Sequence, residues 1–341
     1  MPSHFKKLFR TLLSFIIAGV FLYLAFRGTN FSDIWKSLQR VDYLLVLLMF
    51  PVGITSHWIR AVRWRYLLAP IKEKTSTRNL FSAVMIGYLF NNILPRVGEV
   101  VRAYAIGRSE SVSKTSALGT VVVERILDMV TFSLVLCSVV VLSPKVLLPF
   151  TDNVDAVRPF FLVGSLASLI FFILLFLKGD VVFKLVGFVK PIVPRRFRDP
   201  FDRLVQSFLD GFAVAKMRQT FLPIIGLSLL IWSLYASALY FALLAFHDLA
   251  HLGLGIDAAI VLLTASSIAY ILPAPGAMGT YHSFLTLALV QLYGADSATA
   301  LSYSIVTHEV GYFMTTGIGL YYFIKDQFRI SEAGIDVGTT A

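Results

Sequence analysis

Cysteine is nearly absent: Cys137 is the only one in 341 residues. It has no partner within the chain, so no disulfide framework holds the fold together. Charge is also scarce. Asp, Glu, Lys and Arg make up 15% of the sequence, against about 25% in soluble domains. That excludes an ordinary soluble globular protein. No Walker loop, Rossmann fingerprint, nucleophile elbow or zinc signature occurs. The segment "HDLAH" does put His247 and His251 four residues apart, but without the glutamate and third ligand of a zinc hydrolase. No metal, no cofactor and no enzymatic activity are therefore expected; an intramembrane enzyme would lack a recognisable catalytic set. Acids are fewer than bases, 20 against 30. In an apolar chain that excess fits cytoplasmic loops facing anionic phospholipid headgroups better than nucleic acid.

What the chain does have is long apolar runs, with 57% hydrophobic residues and a mean hydropathy of +0.76. Several runs approach the roughly 20 residues that cross a bilayer. The pattern predicts an all-α polytopic membrane protein with six spanning helices, near 8–26, 42–60, 116–142, 159–177, 220–246 and 298–324. No cleavable signal is evident, and the first run reads as a transmembrane helix. Two more apolar regions, 79–107 and 257–293, are interrupted by proline and glycine. They are expected to be re-entrant helical hairpins or pairs of short tilted helices. With the N-terminus inside, 23 of the 30 Lys and Arg fall on inner segments and 5 on outer ones, with Arg96 and Arg125 in membrane segments. This asymmetry predicts that both termini are cytoplasmic.

The interruptions share a sequence. "ILPRVG" begins at Ile93 and "ILPAPG" at Ile271. Proline removes a backbone donor and glycine permits a turn. The tips would be Pro95 and Gly98 in one case, and Pro273, Pro275, Gly276 and Gly279 in the other. Two halves, about 8–142 and 159–324, follow the same plan with opposite polarity, an inverted-topology repeat. Even the connectors correspond. Phe31, Ile34, Trp35 and Leu38 share one helical face, as do Phe201, Leu204, Val205, Phe208, Leu209 and Phe212 in a cytoplasmic linker over 178–218. Both fit amphipathic helices on the membrane surface. Residues 1–329 thus form one transmembrane domain, followed by a short tail, 330–341. Freed backbone groups cannot face lipid, so opposed tips would line a polar cavity.

Two clusters carry candidate substrate-binding residues. Arg96, Glu99 and Arg102 follow the first tip, and Glu124, Arg125 and Asp128 lie in the next helix. Ionisable groups at such depth are costly and face a cavity or one another. The arginines could hold a lipid phosphate with the acids orienting them; the bland alternative is a set of ion pairs pinning hairpin to helix, and Arg102 could snorkel to headgroups. The second cluster is His282, His308 and Glu309. His308 and Glu309 are adjacent, so their side chains should diverge by about 100°. A proton-linked role competes with plain interhelical hydrogen bonding. "HWIRAVRWRY", with His57, Trp58, Arg60, Arg63 and Trp64, reads as a cytoplasmic interface of aromatic and basic anchors.

Taken together, "GEVVRAYAIGR", "ERILDM" and "PAPGAMG" resemble the landmarks of the lysylphosphatidylglycerol synthase transmembrane family, also called flippase-like or UPF0104, over roughly residues 8–325. The matching positions are Gly98, Glu99, Arg102, Glu124, Arg125 and Asp128, then Pro273, Pro275, Gly276 and Gly279. Ala277 stands where the family pattern has glycine, and His282 where it commonly has glutamate. The resemblance implies a lipid-translocating domain without the soluble synthase domain, in the cytoplasmic membrane of a prokaryote. The expected substrate is an anionic or glycosylated membrane lipid. The alternative is an accessory subunit of a lipid, isoprenoid or glycolipid pathway, working with a lipid-modifying enzyme; a homo-oligomer fits either reading.

Overall fold

The structure, a computed structural model, describes residues 3–147, 153–177 and 218–332, with a few positions between 199 and 210. The expected amphipathic linker helix over 201–212 lies largely outside the described residues, as does most of the tail. Among the described residues the chain is helical and has no strand; an isolated bridge joins Val41 and Phe246.

In order, α1 is Ser3–Phe26, α2 Phe31–Gln39, α3 Tyr43–Leu47 and α4 Met49–Leu68. The first hairpin is α5, Thr77–Ile93, and α6, Val97–Ser109. Then come α7, Lys114–Leu142, α8, Val154–Leu177, and α9, Arg218–Ala245. The second hairpin is α10, Ile256–Ile271, and α11, Thr280–Tyr293. The last helix, α12, runs Ser297–Glu332. Four helical segments are long and apolar enough to cross a membrane: Tyr43–Leu68, Lys114–Leu142, Val154–Leu174 and Gln219–Ala245. A fifth arises if Leu12–Phe26 and Phe31–Gln39, bent by 79°, count as one.

Local chemistry sets the boundaries. Asn30 caps α2 by accepting from the Ser32 amide at 2.9 Å, and Ser76 caps α5 through the Asn79 amide. In α2, Ile34 is buried against Ala298 and Leu301 of α12, while Phe31 and Trp35 stay exposed. The four hairpin helices have 17, 13, 16 and 14 residues. At about 1.5 Å per residue each is shorter than a bilayer core of about 30 Å. Along α8, Phe160, Val163, Leu166, Ile170 and Phe171 are exposed. Such a face suits lipid, where apolar surface carries no hydration cost.

The hairpins open toward opposite ends of α4. At one end Asp42 donates its amide to Ala245, and Lys145 lies 4.1 Å from the Tyr293 ring centre; α10 starts and α11 finishes at this end. At the other, Lys72, Asn79 and Glu110 are joined, where α5 starts and α6 finishes. The two tips meet between these ends. Arg96 donates to the Ile271 carbonyl at 2.9 Å, and a Cβ on Gly276 would lie 3.5 Å from Asn92 Cα.

The breaks use their glycines in different ways. At the first tip the left-handed residue is Arg96, φ 65°, not Gly98. Gly98 serves close approach instead: a Cβ there would sit 1.9 Å from the Gly87 carbonyl oxygen of α5. At the second tip Gly276, Ala277 and Gly279 all have positive φ, 54°, 57° and 79°. Ala277 tolerates a conformation that glycine would adopt without strain. Gly279 also seats the tip on α1, because a Cβ would fall 2.4 Å from the Ala18 carbonyl oxygen.

Candidate functional site: a buried arginine cluster

Four arginines from three helices converge on two acids of α7. Glu124 and Asp128 are one turn apart, so both face the same neighbours. From α4, Arg60 pairs with Glu124 and, at 3.0 Å, with Asp128. Arg63, one turn further, reaches Asp128 at 2.7 Å and Glu124 at 3.4 Å. Arg102 of α6 meets Glu124 at 3.0 Å and lies 5.0 Å from the centre of the Trp64 ring. Arg125 bridges back to Glu124 at 3.1 Å and to Asp128 at 3.2 Å. Neutral partners complete the shell: Tyr235 of α9 accepts from Arg60 at 3.2 Å and Ser228 from Arg63 at 2.9 Å. Trp64 is itself fixed by donating to Thr120 at 2.9 Å.

Burial separates the four guanidiniums. The side chains of Arg60, Arg63 and Arg102 are at most 5% exposed, whereas that of Arg125 is 41% exposed. Four guanidiniums against two carboxylates leave two positive charges over. The nitrogen Nε of Arg60, Arg63 and Arg125, and Nη2 of Arg102, are buried without a partner. Buried donors normally find acceptors. The cluster therefore has both charge and hydrogen-bonding capacity for an anion.

Of the first expected cluster, Arg102, Glu124, Arg125 and Asp128 come together here. Arg96 and Glu99 stand apart from these ion pairs. Arg96 caps the C-terminal end of α10 instead, where a cation complements the helix dipole. Glu99, in the first turn of α6, has one carboxylate oxygen buried without a partner. The sequence reading of Arg60 and Arg63 as interfacial anchors is corrected, since both are buried ion-pair partners. The available signal was spacing: His57, Arg60 and Arg63 recur every three residues and share one face of α4. His57 is buried on that face, 4.6 Å from the Tyr88 ring centre.

Next to the cluster lies an apolar crevice of ≈ 250 Å³ between α7, α9 and α10. Leu134, Val135, Trp232, Ala236, Ile260 and Leu263 line it. Trp232 sits one turn from Tyr235, which accepts from Arg60, so one wall of the crevice is a neighbour of the cluster.

The second expected cluster also assembles. His282 and His308 have ring centres 4.7 Å apart. His308 Nδ1 is 3.0 Å from Glu309 Oε1 and its Nε2 is 2.8 Å from the Gly276 carbonyl oxygen. The adjacent side chains of His308 and Glu309 bend together rather than diverge. Donor atoms of His282, His308 and Glu309 all lie within 4.8 Å of one another. His247 and His251 are exposed on a 3₁₀ turn, His247–Leu252, rather than on an α-helical face.

Residues 11–319 match the model of the lysylphosphatidylglycerol synthase TM region. A UPF0104 membrane protein of Methanothermobacter thermautotrophicus is 25% identical over 85% of this chain and 87% of its own. Another, of Methanocaldococcus jannaschii, is 30% identical over 37% of this chain and 38% of its own. The glycosyltransferase AglD of Haloferax volcanii is 23% identical over 82% of this chain, which spans 48% of that protein. No solved structure matches. With residues 11–319 of its 341 matched, and with Arg102, Glu124, Arg125 and Asp128 of its motifs joined in one cluster, the chain belongs to the lysylphosphatidylglycerol synthase transmembrane family.

Proposed function

We propose that this protein moves an anionic or glycosylated lipid across the cytoplasmic membrane of a prokaryote, without catalysing a chemical step. The observation that carries the reading is the excess of two positive charges in the arginine cluster, with four guanidinium nitrogens unpaired. A lipid phosphate supplies the missing charge and acceptors, and a planar guanidinium fork suits it. Arg125, the half-exposed member, is the group that meets the phosphate; the other three arginines hold the acids. The adjoining crevice has room for part of an acyl or isoprenoid chain. Six spans, two inverted halves and cytoplasmic termini complete this reading. Support comes from hairpins opening to opposite ends, tips in contact and the 23-to-5 division of basic residues. Rocking of one half against the other would then expose the cluster alternately.

The test is translocation of headgroup-labelled phosphatidylglycerol in vesicles, with melting temperature measured on the same preparations. Arg125→Lys keeps the charge but not the bidentate geometry, so transport falls while stability is held. Full transport by well-folded Arg125→Ala would remove the substrate role. Similarity to half of a glycosyltransferase supports a second reading, an accessory subunit that supplies lipid to a modifying enzyme. In that case purified protein alone translocates nothing, and activity appears only with the partner.

A further inference from the structure

Two hydrogen bonds at the second tip determine which ring nitrogens carry protons. A carbonyl oxygen can only accept, so His308 Nε2, 2.8 Å from the Gly276 carbonyl, donates. In a neutral imidazole Nδ1 then bears a lone pair, and it faces Glu309 Oε1 at 3.0 Å. A lone pair and a carboxylate oxygen at that distance repel unless a positive species lies between them. A shared metal ion would also need a lone pair from His282. The Gly279 amide can only donate, so His282 Nδ1, 3.3 Å away, accepts from it. Its Nε2 then carries the ring proton and offers no lone pair. The species that fits is a proton.

We propose that His308 and Glu309 together bind one proton, and that this proton latches the second hairpin tip. Imidazolium with carboxylate and imidazole with carboxylic acid are the same state of charge, one proton on one contact. When it leaves to water, His308 keeps a single ring proton. That proton is best placed on Nδ1, facing the carboxylate. Nε2 then has a lone pair against the Gly276 carbonyl, and the hydrogen bond to the tip is lost. At Gly276 the tip comes so close that a Cβ would lie 2.8 Å from the Tyr312 ring of α12 and 3.5 Å from Asn92 Cα of α5 in the first hairpin. Releasing it loosens the contact between the two hairpins. Glu309, one-third exposed, provides the route for the proton.

The surroundings leave the pair in charge of the contact. From α11, Tyr281 and His282 face His308 with ring centres at 5.2 and 4.7 Å. Tyr312 of α12 stacks at 5.8 Å. From α10, Tyr270 packs edge-on against Tyr281 at 5.9 Å. From α5, Asn92 reaches α12; it is neutral and donates to Thr315 and Thr316. Among the described residues, no lysine or arginine forms an ion pair with Glu309. As the ion coupled to lipid movement this proton rests on the transport reading above; as a bound proton it does not.

Two readouts separate these levels. Solid-state ¹⁵N NMR of histidine-labelled protein, in vesicles of phosphatidylcholine and phosphatidylglycerol, follows His308 between about pH 5 and 8. The signal is assigned by its loss in His308→Gln. The expected result is one proton lost from the pair, with Nε2 changing from donor to bare nitrogen. In Glu309→Gln the amide can donate to Nδ1, so Nε2 stays a donor at every pH. A His308 signal unchanged with pH in the wild type overturns the proposal. So does a zinc-dependent shift of both histidines that a chelator reverses, which would put a metal in the proton's place. The second readout is translocation of labelled phosphatidylglycerol under an imposed pH gradient. Wild type should respond severalfold to the gradient, and Glu309→Gln, latched, should be slow and indifferent to it. An undiminished response in Glu309→Gln also overturns the proposal. If wild type translocates nothing under any gradient, the transport reading fails, while the NMR result still decides the proton site.

Discussion

Glutamate 124 is the most demanding test of the arginine cluster. Its carboxylate is 0% exposed and lies within reach of all four guanidiniums. Glu124→Gln keeps the size but raises the uncompensated charge from two to three. Breaking a buried ion pair by removing one partner costs about 3–5 kcal/mol, and here four arginines lose the same acceptor. Arg102→Gln acts in the opposite direction. It lowers the excess charge to one, and loses one ion pair and the stacking on Trp64; about 1–3 kcal/mol is expected. The asymmetry is the prediction: losing an acid costs more than losing an arginine. The double variant restores an excess of two, so it should recover at least about 1 kcal/mol of the Glu124→Gln loss, within the coupling seen for contacting residues. The assay is unfolding in mixed micelles, followed by tryptophan fluorescence, to which Trp64 beside Arg102 contributes. Glu124→Gln as stable as wild type, or less costly than Arg102→Gln, would refute the charge argument.

The first hairpin should fail at its closest approach. Gly98→Ala places a methyl 1.9 Å from a backbone oxygen of Gly87, so melting temperature should drop sharply, whereas Gly226→Ala, with nothing within 4 Å, should leave it unchanged or slightly raised. At the end where that hairpin opens, Glu110 is buried, which would raise its pKa. Bonds from Lys72, Asn79 and the Ser76 amide outweigh that and hold it below the usual carboxylate range. A depressed carboxylate stabilises the fold above its unfolded-state pKa, and the contribution disappears as pH falls through the folded value. Melting temperature should therefore decline below about pH 4.5, and Glu110→Gln should be less stable at neutral pH with a flatter acid limb. Identical acid limbs for the two proteins would count against this account.

The sequence by itself determined the class of protein, an all-helical membrane chain, and the two proline-glycine breaks. Those follow from local rules. Apolar runs must leave water, and proline cannot donate within a helix. It also located four of the six residues in the buried ion-pair cluster, because acids one turn apart on an apolar helix must find partners. Tertiary structure decided who those partners are. Arg60 and Arg63 look like interfacial anchors in a one-dimensional reading, since "HWIRAVRWRY" ends a span and is rich in aromatics. Only the packing of α4 against α7 turns that face inward. Arg96 sits three residues after the end of α5 and reads as part of the cluster, yet with a left-handed backbone it reaches the end of α10. The role of Gly98 was likewise invisible, because a 1.9 Å clash with Gly87 depends on how closely two helices lie. Propensity and hydropathy are properties of neighbours along the chain. The pairing of charges, the fit of a glycine against another backbone and the proton count of a histidine depend on atoms far apart in sequence, which only folding brings together.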